Sequence, residues 1–186
     1  MANKIKYGLK NVYYAVATIG ADNSATYDTP VAFPGAVSVT LDAEGDTSTF
    51  YADNIAYWSG YSGGTIEGDL EVAMFDDAFK TQFLGYVTLT NGGLANVKNA
   101  TKPNVYIAFQ VEGDDESRRV ILYNCSLGAI TREYATIEES KEPATETLGV
   151  TCIGDNATGV TMAVLKPADT GYATLFTAPT APAIAP

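Results

Sequence analysis

Glu67, Asp69 and Glu71 alternate along residues 66–74 and share one face of an extended segment, while Ile66, Leu70, Val72 and Met74 lie along the other with Gly68. Such a row of carboxylates can bind a divalent cation, trade protons as a catalytic pair, or repel an anion. Spacing argues against the first: side chains two apart on a strand lie ~6.5–7 Å apart, too far to share one ion without a second strand. The second is not legible here, because 22 acidic residues generate carboxylate pairs by number alone. The chain has no histidine, which removes the usual general base, the Ser–His pairing and the commonest transition-metal ligand. GDDES (113–117) lacks the EF-hand spacing and reads as a solvated hairpin turn. SGYSGG (59–64) lacks the Gly-Lys-Ser/Thr ending of a phosphate loop and leads into a strand. Arg118 and Arg119 read as charge balance for Asp114, Asp115 and Glu116, or as an intersubunit salt bridge. No catalytic, metal or cofactor site emerges, and the chain is read as a non-enzyme.

A second feature is aromatic. Between Ala43 and Gly64 the chain carries Phe50, Tyr51, Tyr57, Trp58 and Tyr61 in a stretch read as one long loop. Disordered segments are poor in aromatics, so the stretch is expected to be ordered. Either it folds back over its own sheet, or it packs on a neighbouring chain, where Tyr and Trp are favoured anchors.

The elements that position these residues are mostly strands. Twelve tyrosines, 17 glycines and many Val, Ile and Thr residues favour β structure, and 186 residues suffice for a real core. Residues 10–19 alternate, with Val12, Tyr14 and Val16 on one face, and Val37, Val39 and Leu41 oppose Ser38, Thr40 and Asp42 in the next strand. After the acidic strand comes a short helix: Asp76 or Asp77 caps it, Phe75, Phe79 and Phe83 recur at i, i+4, and Gly85 ends it. Residues 105–112 and 118–130 are expected to form a hairpin, and the run Val120–Ile121–Leu122–Tyr123 predicts a strand covered on both faces. Residues 131–147 read as a surface loop and 147–154 as the last clear strand. The expected fold is mainly β, a β-sandwich or partly open barrel of two packed antiparallel sheets with one short α-helix. The main domain spans 1–155; 156–175 add a strand or C-terminal extension, and 176–186 form a Pro/Ala-rich flexible tail.

The formal charge of −11 argues against attraction to nucleic acid or an anionic membrane. No 18-residue apolar run is present, and the N-terminus lacks a signal-peptide pattern. Cys125 and Cys152 lie in apolar strand patterns and read as two half-buried free thiols, with a disulfide as the alternative. Open-edged β domains aggregate unless their edges are blunted or paired by design, so a self-assembling structural subunit fits these features. A carbohydrate- or cell-surface-binding β-sandwich of an adhesin is the alternative.

The strings PGAVSVTLDAEGDTSTFYADNIAYW and GYSGGTIEGDLEVAMFDDAFKTQFLG resemble the major tail protein of long-tailed bacteriophages with flexible tails. KIKYGLKNVYYA and TETLGVTC also fit that family, whereas Thr49 stands before Phe50 where the family's proline is expected. The resemblance implies the tail-tube fold, with six copies per ring, stacked rings, and inner strands joined into one closed barrel. It implies further copies of the chain, tape-measure protein, tail terminator and baseplate or tip proteins as partners, with DNA only in transit. The implied location is the virion tail, and the host cytoplasm during assembly. In that setting Glu67, Asp69 and Glu71 are expected to line the lumen, or else to face solvent outside the tube. Asp46, Phe50, Tyr51, Asp53, Asn54, Tyr57 and Trp58 are expected to make inter-subunit contacts, and Asp76, Phe79 and Phe83 to cap and pack the helix.

Overall fold

Alternation of apolar and polar residues organises most of the chain into strands. The computed structural model describes residues 8–136 and 143–185. In chain order these form β1 (Gly8–Ile19), β2 (Ala25–Tyr27), β3 (Val31–Ala32), β4 (Ala36–Ala52), β5 (Ile55–Val72), α1 (Asp77–Phe83), β6 (Tyr86–Thr88), β7 (Leu94–Asn96), β8 (Asn104–Glu112), β9 (Arg119–Arg132), β10 (Glu146–Cys152) and β11 (Met162–Leu165). The expected mainly β class with one short helix is what forms. Residues 137–142, within the stretch read as a surface loop, lie outside the described residues.

The main sheet runs β2-β1-β8-β9-β10-β5-β4, all antiparallel, with β3 on β1 and β11 on β9, while β6 and β7 pair separately. The sheet curls around one core. Val12 and Tyr14 of β1, Ile107 of β8, Leu122 of β9, Val150 of β10 and Leu70 of β5 share it, with Val39 and Leu41 of β4 packed against its edge. The barrel stays open: among the described residues β4 ends the strand path with only β5 as partner. The helix fills one end of the core. Asp76 caps it by accepting from the Phe79 N–H at 2.6 Å. The Phe79 and Phe83 rings each meet Tyr14 edge-on at 5.0 Å, and Phe75 and Phe33 complete the aromatic cluster.

Val120 and Leu122 enter this core while Ile121 and Tyr123 enter a second cluster on the opposite face with Ala15, Tyr106 and Ala108. That is the two-sided burial the apolar run predicts. The cover is the C-terminal segment: Leu175 is buried there, and Val160, Ala163, Leu165 and Phe176 pack around it. Tyr106 donates its hydroxyl to the Leu175 carbonyl, and Phe176 stacks on Tyr13 at 4.5 Å. Arg119 sits over Tyr172 and Phe176 at 4.0 and 4.3 Å. Its neighbour Arg118 folds back on the hairpin turn, pairing with Asp114 at 3.3 Å and Glu116 at 2.9 Å. Adjacent arginines that look alike in sequence therefore do different work.

Two local features hold β5 in place. Gly68 faces the Thr40–Leu41 backbone so closely that a Cβ would lie 1.9 Å from the Thr40 carbonyl oxygen. At the other end, Glu146 accepts from the Phe75 N–H at 2.8 Å and from Arg132 Nε, tying β10, β9 and the chain entering α1. Burial pushes the Glu146 carboxyl up, but the Phe75 N–H and the Arg132 guanidinium outweigh it and hold it below the usual carboxylate range.

Gly68→Ala is expected to cost about 3 kcal/mol, because backbone rather than a movable side chain occupies the space; chemical denaturation of the purified subunit measures it. Glu146 stabilises the fold above the ordinary carboxylate pKa, and this contribution is lost as pH falls through its depressed folded value. Glu146→Gln is therefore expected to lose about 1–3 kcal/mol at neutral pH and to show a shallower loss of stability on acidification than the parent, read from denaturation midpoints across a pH series.

Candidate functional site

The segment read as a long aromatic loop is instead the outer half of a two-stranded arm. Strands β4 and β5 pair continuously from Ala36↔Val72 out to Ala52↔Ile55. Asp53 and Asn54 make the connection with φ of +51° and +63°, the left-handed geometry of a two-residue hairpin turn. Asx residues tolerate that region, so Asp-Asn replaces the more familiar Asn-Gly signal. The alternation that reveals a strand is missing here because neither face of the arm is buried. Bulges between Glu44 and Gly45 and between Phe50 and Tyr51 shift its phase further.

Within the arm, Phe50 lies opposite Trp58, Tyr51 opposite Ala56, and Asp46 opposite Ser62. The Trp58 ring lies across Gly60, where a Cβ would collide with it at 2.1 Å, and the Tyr61 ring covers Gly45 and Gly63 in the same way. Trp58 and Tyr61 are three residues apart on one strand, so the two shielded patches sit on opposite faces. The glycines are thus seats for aromatic rings, which protect backbone that a small residue leaves bare. The aromatics remain exposed: Phe50 is 60% accessible, Tyr57 72% and Trp58 56%, with Tyr51, Ile55 and Tyr61 similar. Single exposed apolar residues are ordinary, but six on one narrow arm, shared between its two faces, make the arm as a whole a contact element. Ile55 was not among the residues of the aromatic stretch picked out from the sequence; the pairing places it on the arm opposite Ala52.

The acidic row lies on the inner half of β5, on the face away from the core. Glu67 pairs across β4 with Asp42 and across β10 with Thr151; Asp69 pairs with Thr40 and Gly149; Glu71 pairs with Ser38 and Thr147. One sheet face therefore carries four carboxylates among Ser, Thr and Gly. Asp42 joins the row only through the register, which the sequence does not display. Asp42 opposite Glu67 is a like-charge cross-strand pair, an arrangement that costs stability in the isolated subunit. Glu71 is held differently from its neighbours. It accepts from Thr145 at 2.7 Å and Ser38 at 2.8 Å, and these hydroxyls lower its pKa. Glu67 and Asp69 project into solvent. Among the described residues no three His, Cys, Asp or Glu side chains converge as a metal site. What the face can do is present a fixed negative field.

Asp53 and Asn54 sit at the arm tip, and Asp46, Phe50, Tyr51, Tyr57 and Trp58 lie along it, away from the acidic row. The arm and the row are thus successive stretches of the same two strands, while Asp76, Phe79 and Phe83 belong to the core end of the molecule.

No curated protein matches this chain in sequence. Several solved structures share its fold, two of them as follows. The anti-feeding prophage tube terminating cap aligns over 89% of this chain and 96% of its own, with TM-score 0.52 and 11% identity. The sheath/tube terminator of the PVC extracellular contractile injection system aligns over 88% and 99%, with TM-score 0.52 and 11% identity. At sequence level, residues 2–161 match the family described as phage tail tube protein. With most of its length inside that match, the chain belongs to the phage tail tube protein family.

Proposed function

We propose that the chain is a tail tube subunit that assembles as stacked hexameric rings through which DNA leaves the particle. The observation that carries this reading is the β4–β5 arm, whose aromatic side chains are exposed and whose outer strand edges have no partner among the described residues. Main-chain groups along β4 are free to pair with a neighbouring subunit, which closes the inner sheet around a ring. The arm then extends beyond the body of its own subunit and seats Phe50, Tyr51, Tyr57 and Trp58 against the adjacent ring. In this arrangement the face bearing Asp42, Glu67, Asp69 and Glu71 lines the lumen. A negative wall repels phosphate, so the nucleic acid passes without adhering. Tape-measure protein in the lumen before ejection, a terminator at one end and tip proteins at the other are the partners this role requires. Assembly would take place in the host cytoplasm and the finished subunit would reside in the virion tail.

Negative-stain microscopy of the purified chain tests the reading directly: rings or tubes support it, and a lone globule with affinity for sugars would favour an adhesin module. Replacing Phe50, Tyr51 and Trp58 together by alanine is expected to leave a folded monomer that no longer polymerises, seen as an unchanged circular dichroism spectrum with loss of the sedimenting fraction. Tubes from that variant would confine the arm to a role within its own subunit. Lysine at Glu67, Asp69 and Glu71 is expected to leave tube length and yield unchanged while slowing DNA release from whole particles by an order of magnitude or more. Release at the parental rate would place the acidic row outside the lumen.

A further inference from the structure

Two thiols have no part in the proposed assembly. Cys125 of β9 and Cys152 of β10 are register partners, both fully buried in the main core. Directly opposed residues on antiparallel strands have Cα atoms about 4.5–5.5 Å apart, inside the about 4.4–6.8 Å that a disulfide spans. The Sγ atoms are 2.7 Å apart, inside ordinary nonbonded contact between sulfurs and a small side-chain rotation from bonding distance.

We propose that Cys125 and Cys152 are an oxidation site that forms a cross-strand disulfide when the subunit meets a low-molecular-weight disulfide oxidant. One protein thiol gives up its proton, and the thiolate attacks a sulfur of the oxidant and releases one small thiolate. The second protein thiolate then attacks the mixed disulfide at the protein sulfur and releases the other. Two protein thiols lose two protons and two electrons in total, and the oxidant leaves as two small thiols.

The position of the pair permits this. Cys152 is the last residue of β10 and forms the last register pair with Ile66 on β5 and Cys125 on β9; beyond it Ile153 donates its N–H to the Asn124 carbonyl at 3.3 Å, and the Asn124 amide donates to the Gly154 carbonyl at 2.9 Å. The next residue, Ile153, is half exposed. Local opening of this rung and of the two hydrogen bonds beyond it would admit a small oxidant while the rest of the sheet stays paired. In the closed state burial, followed by the neighbouring Cys152, pushes the Cys125 thiol well above its ordinary pKa. Cys125 thus stays protonated and inert until the rung opens. The bond would enclose residues 126–151 and fasten β9 to β10, the strand on which the inner half of β5 is anchored.

The test is to refold the purified subunit in a buffer of reduced and oxidised glutathione and, in parallel, to expose the folded subunit to oxidised glutathione. The expected product weighs about 2 Da less than the reduced chain and retains no glutathione. Its peptide map joins the segments containing Cys125 and Cys152, and its Tm is higher by roughly 5–10 °C, a gain that dithiothreitol abolishes. Cys152→Ala is expected to show neither the mass loss nor the Tm gain. Two free thiols after redox refolding, where access is not limiting, would overturn the proposal. So would stable glutathione adducts in place of the internal bond, or an internal bond that lowers Tm. None of these outcomes depends on whether the subunit forms tubes.

Discussion

Backbone pairing along β5 is the constraint from which the rest of the molecule follows. This strand is 18 residues long, but only Ile66–Val72 has a partner on both sides, β4 on one and β10 on the other. Along Ile66–Val72 the strand is paired on both edges and one face is buried. Beyond it, among the described residues, the strand pairs with β4 alone and its side chains are mostly exposed. A two-stranded ribbon is marginal by itself in water, so the arm depends on its continuity with the sheet and on ring-over-glycine packing by Trp58 and Tyr61. Gly68 sits near the junction, where β4 and β5 approach too closely for any side chain.

The same two strands therefore serve two purposes without a domain boundary between them. Their inner halves give Val39, Leu41, Ile66, Leu70 and Val72 to the core or its edge and turn four carboxylates outward. Their outer halves carry exposed aromatics and the acids Glu44, Asp46 and Asp53 without a single Lys or Arg. The opposed Asp42 and Glu67 have no explanation in subunit stability, since like charges across a ladder cost free energy. They are explicable if the face serves a wall that must not hold polyanions, as the proposed lumen requires. The C-terminal segment works oppositely, closing the second face of β8 and β9 with Leu175 and fastening itself through Arg119, Tyr172 and Phe176.

Where one face of a strand is buried, the sequence was readable. Val12 and Tyr14, the Val105–Ile107–Phe109 row and the two-sided run at Val120–Tyr123 all follow their alternation into the core. So does the helix, whose Asp76 cap and phenylalanine spacing are local signals. The arm was not readable as strand, because alternation records burial and the arm has none. Its turn, Asp53-Asn54, carries no glycine, and its bulges break the phase. The short β2 and β3 escaped for a related reason: two or three residues are too few to show a period.

By itself the sequence determined the β class, the helix and its cap, the two-sided strand, the absence of histidine chemistry and the acidic row, since each depends on residue type and on neighbours two to four positions away. Long-range pairing is what makes the aromatic stretch a paired arm, joins Asp42 to Glu67, Asp69 and Glu71, parts Arg118 from Arg119 and brings Cys125 to Cys152. Those outcomes are set by register between strands distant in the chain. Register comes from the collective burial of a whole sheet face, which no short window of sequence contains.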